Sequence, residues 1–531
     1  MLTRRAVLTA GAATAVAPQF AREAASATPA GIVVMAKQID DIVSFDPAQS
    51  YEFTDNEVDG NLYRKLVVPD PLDPSAIKGD LATNFEITPE GRRITFHLRD
   101  DARFASGRSL TAADAEFSLR RAARLNLTPG FIITQFGFTK DNVAGLIRAT
   151  DTHTLVVEVP EVAAPSFVLH CLSANVGGIV EKETALAHQE GGDLGNRWLT
   201  SHSAGAGAYQ LTSWAANDHV IVDANPHSGI PTATRRIVIR HVKDPATQLL
   251  MLRRGDADIA RDLTSDLLKS IGGERDFHSV SSPQLTSMYL AANQNVTALT
   301  RPEVQQAMKW AIDYEAIARN ITPGTWTVDQ SFLPAGLFGA LSSNPFHRDV
   351  AKARSLMAAG GYPDGFAVTM DYISAPPYSD IAEALQADLG AIGIKVSLLP
   401  GTQKEVITKM RARQHQLLLL YWGSDYFDPN SNAQAFCANP DDSDASPLKI
   451  IAWRCHFQNK PLTAEAAAAA REVDSAKRLA LYEKMQRQFW DQAPITFLLQ
   501  KNAVAVLRSN VSGFVMGAEP DFTRYHEIRK G

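Results

Sequence analysis

Leu417-Leu418-Leu419-Leu420-Tyr421-Trp422-Gly423-Ser424-Asp425-Tyr426-Phe427-Asp428-Pro429 contains both the strongest strand signal in the chain and its most suggestive chemistry. The unbroken apolar run from Leu417 to Trp422 reads as a strand covered on both faces, the pattern of a sheet enclosed between helices. In open α/β sheets, ligands gather beyond the carboxyl ends of the strands. Here that end carries an aromatic plate at Trp422, a Gly-Ser pair, and two carboxylates, Asp425 and Asp428, flanking Tyr426 and Phe427. A partly buried carboxylate is costly unless paired, so a ligand ammonium would add an interaction that the empty site lacks. The same residues also read as an ordinary loop, in which Asp428 caps a turn at Pro429 and Asp425 faces water.

Working upstream, Ile381, Leu385, Leu389 and Ile392 form one helical stripe, Gly393 is placed to end that helix in the left-handed conformation, and Ile394, Val396 and Leu398 alternate as a strand. A further helix, over about 403–414, leads into the leucine-rich strand. Pro302 opens a helix in which Val304, Ala307, Met308, Ala311 and Ile312 recur at steps of three and four. Downstream, the alanine tract at 464–470 predicts one long helix continuing through Trp490. These units describe a second α/β lobe beginning near Pro283. Before it, Ile94, Phe96 and Leu98 alternate after a Pro-Glu-Gly turn, and Thr111-Ala112-Ala113-Asp114 is a capping-box variant that starts a helix running to about Arg124. Strands return between Gly205 and Ala224 and again over 237–242, and Asp244-Pro245 opens a helix ending near Gly255. The first 280 residues therefore read as a mixed α/β lobe with an insertion.

The chain has 531 residues and a formal charge of −6, with both signs interspersed. That length predicts two or three domains and room for a large enclosed site. No basic clustering is present, which argues against a nucleic-acid partner. Thr3-Arg4-Arg5-Ala6-Val7-Leu8, an apolar run to Ala17, Arg22 and Ala25-Ser26-Ala27 read as a twin-arginine export signal with its cleavage site, residues 1–27. The working protein is then expected to start near Thr28, outside the cytoplasm. No later window approaches the roughly 18 to 20 apolar residues of a spanning helix. Cys437 and Cys455 flank a polar loop and are expected to bridge in an oxidising compartment, the other reading being two inert buried thiols, and Cys171 is expected to pack as a small apolar side chain.

Catalytic signatures are missing: there is no Gly-x-Ser-x-Gly elbow, no His-Glu-x-x-His, no phosphate loop and no paired CxxC. The histidines show no metal-ligand spacing, so no catalytic residue, metal or cofactor is assigned. Gly205-Ala206-Gly207-Ala208-Tyr209 allows close backbone approach, but without a GxGxxG continuation or a following helix it reads more simply as a turn.

Several stretches together carry a family resemblance. They are Gly79-Asp80-Leu81-Ala82-Thr83-Asn84-Phe85 with Thr95-Phe96-His97-Leu98-Arg99, then Phe104-Ala105-Ser106-Gly107-Arg108-Ser109-Leu110-Thr111-Ala112-Ala113-Asp114, then Gly205 to Tyr209. Val304-Gln305-Gln306-Ala307-Met308 with Ala311-Ile312-Asp313, Leu389 through Val396, and Trp422 to Pro429 complete the set. On them the chain resembles the extracytoplasmic solute-binding proteins, family 5, the dipeptide/oligopeptide/nickel class that serves ABC importers. The resemblance implies an α/β fold of two lobes, with an extra subdomain inserted in lobe I and a ligand enclosed between the lobes. Lobe I is expected over 28–284, with the insertion at about 69–203, and again over 501–531; lobe II is expected over 285–500.

The resemblance further implies that Asp425 holds a ligand α-ammonium, with Trp422 and Tyr426 beside it, and it places Cys437 and Cys455 in a bridged loop. Backbone around Gly205 and Gly207 and the Asp41-Ile42 loop are expected on the opposite wall. Dipeptide-selective relatives use an arginine in the loop matching Ile373 to Tyr378, which here reads Ile-Ser-Ala-Pro-Pro-Tyr; Gln403 stands where such relatives have a tryptophan, and Asn225-Pro226-His227-Ser228 lacks their aromatic pair. The expectation is a monomeric, non-enzymatic periplasmic receptor that closes on a small peptide or peptide-like ligand and hands it to ABC transporter permease subunits. An opine, an oligosaccharide or a metal-chelator complex is the alternative ligand, and an exported hydrolase the alternative class.

Overall fold

In the computed structural model, residues 28–29, 31–70 and 76–531 are described; the segment read as an export signal lies outside them. Leu417 and Leu419 face one side of the strand Leu417–Gly423 and Leu418 and Leu420 the other. All four are at most 3% exposed, so the strand is covered on both faces, as its apolar run requires. The parallel strands Phe366–Ile373 and Ile394–Gly401 lie beside it. The helix Tyr378–Gly390, with Ile381, Leu385 and Leu389 buried, connects these two, and Gly393 turns the chain at φ +90°. The helix Gln403–Arg411, opened by a Thr402/Glu405 capping box, returns the chain to Leu417.

Two long antiparallel strands carry this sheet into the other lobe. Phe277–Ala292 and Ile495–Arg508 pair along almost their whole lengths, but their register shifts between Pro283 and Ser287. One end, Ser287 to Ala291 against Ile495 to Gln500, belongs with the leucine-rich strand; the other, Phe277 to Pro283 against Asn502 to Arg508, continues through Ile259–Ala260, Ile32–Lys37, Arg236–His241, His219–Ala224 and Tyr209–Ala215. The result is one sheet of eleven strands, one of them Trp326–Val328 branching from Ile495–Arg508, shared by the two lobes. The chain end returns to the first of these: Tyr525 donates to Glu57 at 2.8 Å and Lys530 pairs with Asp258 at 3.0 Å.

A separate antiparallel sheet, Ala82–Ile87, Arg93–Leu98, Thr154–Glu158 and Ile147–Ala149, packs under the helix Ala112–Leu125. Its core, including Phe96, Phe104, Leu119, Phe136 and Phe167, draws almost entirely on residues 66–179. The expected capping box starts the helix: the Asp114 carboxylate accepts from the Thr111 amide at 3.0 Å. Arg121 anchors the unit to the N-terminal segment through a buried pair with Asp46 at 2.6 Å.

Two local expectations need correction. The alanine tract does not continue to Trp490; it ends at Arg471, and a new helix, Ser475–Gln492, starts where Asp474 accepts the amides of Ala476 and Lys477. A side chain that caps this well outcompetes continuation through Glu472-Val473. Nor is the Cys437–Cys455 bridge formed. Both cysteines, with Cys171, are buried free thiols, and the Cys455 sulfur faces His415 Nε2 at 3.8 Å.

Candidate functional site

The strand Leu417–Gly423 delivers its loop to the junction of the lobes, and neighbouring backbone fixes how the loop leaves it. The Ser424 amide donates to Leu285 O at 2.9 Å, the Ser424 hydroxyl to Asn432 Oδ1 at 2.7 Å, and the Asp425 amide to Ser431 Oγ at 2.7 Å. Asp428 is fully buried, accepts the Asn430 amide at 2.8 Å, and pairs with both terminal nitrogens of Arg478 at 2.6 and 2.9 Å. Asp428 is thus satisfied within the protein. Asp425 is not: no lysine or arginine pairs with it among the described residues, and its hydrogen-bond donor is the Tyr51 hydroxyl, reaching across from the N-terminal lobe.

Asp425 lines a cavity of about 380 Å³ between the lobes. Burial pushes its pKa up to about 6, partly offset by the Tyr51 hydrogen bond and the charge of Arg454. Glu519, from the C-terminal return, faces the same cavity. Its carboxyl is held well above the ordinary range by burial and by the nearby Asp521 and Asp425, with Lys65 opposing, and its Oε1 accepts no hydrogen bond. Asp425 and Glu519, with Glu52 and Asp521, therefore border one space, and burial is the largest cause disfavouring the anion at both Asp425 and Glu519.

The cavity is partitioned from a second one. Phe53, at the start of the helix Phe53–Leu62, crosses to the opposite lobe, where a β-carbon on Gly423 would stand only 3.0 Å from the ring tip. Glycine there admits the ring. Beyond it lies a space of about 510 Å³ that includes Asp41, Arg261, Pro376 and Asp380, and Glu52, Phe53, Gln403 and Tyr421 border both.

The structure sorts the sequence-based candidates. Asp425 and Trp422 border the first cavity, and the Trp422 indole N–H is buried with no acceptor. Tyr426 touches the cavity, but its ring is embedded in the core of the small sheet unit, 5.6 Å from Phe167, and its hydroxyl accepts from Asn430 at 3.1 Å. Asp41 borders the second cavity, where it also accepts the Thr54 amide at 2.9 Å, whereas Ile42 packs against the N-terminal core. Gly205 and Gly207 reach neither cavity. They press on the end of the helix Phe53–Leu62, where added β-carbons would lie 2.0 Å from Leu62 O and 2.3 Å from Asn61 O; their lack of side chains serves packing.

Tyr51, Phe53, Glu519, Arg411 and Arg454 border the cavity without having been singled out from sequence. Glu519 is brought in only by the return of the chain end, and Arg454 is carried on the one-turn helix Ile451–Arg454 next to Cys455. Neither shows any local pattern.

Comparison with known proteins agrees with this architecture. Residues 76–444 match the family described as bacterial extracellular solute-binding proteins, family 5 Middle. Among curated relatives, the chain is 25% identical over 495 residues, 92% of each chain, to the "Probable D,D-dipeptide-binding periplasmic protein DdpA" of Escherichia coli (strain K12). It is 24% identical over 462 residues, covering 84% of this chain and 85% of the relative, to the glutathione-binding protein GsiB of Salmonella typhi. Among solved structures, the Helicobacter pylori periplasmic binding protein DppA in complex with the peptide STSA superposes with a TM-score of 0.76 at 22% identity, over 94% of this chain and 98% of that one. The ABC transporter substrate-binding protein CtaP of Listeria monocytogenes gives 0.79 at 19% identity, over 95% and 100%. With a two-lobed α/β frame, a cavity at the lobe junction and a match spanning most of its length, the chain belongs to the family 5 extracellular solute-binding proteins.

Proposed function

We propose that this protein is the periplasmic receptor of an ABC importer, closing on a peptide or peptide-like solute whose ammonium is held by Asp425 and presenting it to the membrane permease. It is a binding protein and not an enzyme. One observation carries the amine assignment: Asp425 is a buried-side carboxylate at the lobe junction whose partner is a neutral tyrosine rather than a cation. Glu519 faces the same space and strengthens the site's preference for positive charge. Trp422 forms an apolar wall, and Asp41 borders the adjoining compartment. The names of the relatives, a D,D-dipeptide-binding and a glutathione-binding protein among them, support a small peptide-like ligand.

In this reading lobe I comprises 28–284, with the inserted subdomain at about 69–203, and 501–531, while lobe II comprises 285–500. The shift of register between Pro283 and Ser287, opposite Gln500 and Asn502, supports those crossing points. Ligand contacts made to both lobes stabilise the closed state over the open one, and that difference drives closure. The N-terminal Arg4-Arg5 segment exports the folded protein by the twin-arginine route, and replacing both arginines by lysine should leave the precursor in the cytoplasm.

The test of the ligand reading is titration of purified protein with alanyl-alanine, together with mass spectrometry of the small molecules released on denaturation. Asp425→Asn is expected to weaken dipeptide binding by about 30-fold or more, the order of a lost charge-assisted contact. Unchanged affinity would overturn the amine assignment.

A further inference from the structure

Phe53 is a large apolar ring whose position burial does not explain. It is 43% exposed, stands at the first position of the helix Phe53–Leu62, and extends across the lobe junction to the backbone of Gly423. Both sides of that contact are built for it. On the far lobe, a β-carbon at Gly423 would stand 3.0 Å from the ring Cζ and 3.3 Å from Cε1, so a larger residue there would push the ring back. On the near lobe, the helix that carries the ring is held at both ends. The Thr54 amide donates to Asp41 at 2.9 Å, the Asn61 side-chain amide donates to Thr523 O at 2.9 Å, and Gly205 and Gly207 press on the last carbonyls. The backbone beneath the ring is therefore fixed, and only rotation of the side chain would withdraw it.

What the ring divides is the space between the lobes. The Asp425 cavity measures about 380 Å³ and the compartment beyond it about 510 Å³. Glu52 and Phe53 border both from one lobe, Gln403 and Tyr421 from the other. Alone, the Asp425 cavity lies near the lower end of the range for ligand pockets, roughly 300–1,000 Å³. The chain itself supplies a scale for what fits. Gly423 precedes Asp425 by two positions, at most about 7 Å of extended backbone, and a bound peptide advances by the same length per residue. A peptide with its ammonium on Asp425 that runs toward the second compartment thus meets the Phe53 ring after about two residues.

We propose that Phe53 is a specificity-determining partition that limits ligand length, ending the Asp425 cavity after about two residues of a peptide-like solute and denying longer ones the compartment beyond. This rests on the amine-binding reading above, which fixes where the ligand starts, and adds a limit on where it stops. A longer ligand has to drive the ring from its contact with Gly423 or leave its own end outside the cavity, whereas a shorter one leaves the partition intact. The discrimination is steric and acts against the wrong ligand.

Calorimetric titration of the mature protein with alanyl-alanine, trialanine and tetra-alanine reads the partition as a dependence on length. The wild type is expected to bind alanyl-alanine about 10-fold or more tighter than tetra-alanine. Phe53→Ala should shrink that ratio to within about 3-fold through a gain in affinity for tetra-alanine, and Phe53→Leu, which keeps part of the wall, should fall between. A ring that only lines the cavity or supports the fold would not produce a gain, so a variant that weakens every length alike, or changes none, overturns the partition. A wild type that takes tetra-alanine as tightly as alanyl-alanine overturns it too, and that comparison needs no variant, so it stands if Phe53→Ala fails to fold. N-acetyl-alanyl-alanine separates this from the amine reading: binding as tight as that of the free dipeptide, with the length dependence retained, overturns the amine reading and not the partition. Failure of all four compounds to bind at millimolar concentration overturns both.

Discussion

Two residues separate Asp425 from Asp428, and what distinguishes them is the partner each finds. Asp428 has Arg478, buried with it at 2% exposure or less; Arg478→Met should therefore cost about 3–5 kcal/mol, read as a lower denaturation midpoint, because it strands a buried carboxylate. Asp425 has a tyrosine, and burial raises its pKa to about 6. The sign follows from linkage: between its unfolded pKa near 3.9 and about 6 the folded ligand-free protein holds the extra proton, so this group's contribution to stability falls as pH rises through that window. Asp425→Asn, which has no charge to bury, should raise the Tm of the ligand-free protein at pH 7 while abolishing tight binding, and a scanning calorimeter separates the two effects. A fall in Tm would show that Asp425 is held by structure and not reserved for a ligand. That Asp425 stands at a strand end was legible from the sequence; that Asp428 is neutralised was not, because Arg478 lies fifty positions away on another helix.

Elements whose signals are local were readable, and those set by packing were not. The Thr111/Asp114 capping box, the helix end at Gly255 and the left-handed Gly393 occur where short-range chemistry demands them. The break after Arg471 was missed because the high helix propensity of the alanine tract masks Asp474, the cap of the next helix. Asp474→Ala should cost about 1 kcal/mol, detectable as a small shift in urea midpoint with unchanged slope; no shift would mean the break is imposed by tertiary packing alone. Gly205 and Gly207 illustrate the opposite error. Their missing side chains were read as allowing close backbone approach, most simply a turn, with the family resemblance adding a place on the ligand's opposite wall; the close approach is to the carbonyl end of the helix Phe53–Leu62.

At the scale of the molecule, the two long strands Phe277–Ala292 and Ile495–Arg508 tie both lobes into one sheet, and the register shift at Pro283–Ser287 lies where the chain passes between them. The lobes meet over the cavity through Tyr51 on Asp425 and Phe53 on Gly423. The α/β class and the second lobe were visible in the sequence through periodicity, but the cavity draws on residues near 51, 425, 454 and 519, which only the folded topology brings together. If a ligand ammonium replaces Tyr51 as the partner of Asp425, binding requires the carboxylate to be ionised. The affinity of the protein for alanyl-alanine between pH 5 and 7.5, where both charges of that probe persist, is the most direct measurement of this. The account predicts that affinity is level above about pH 6 and falls with a slope approaching tenfold per pH unit below it, as Asp425 takes up its proton; an affinity that stays flat across the whole range would contradict it.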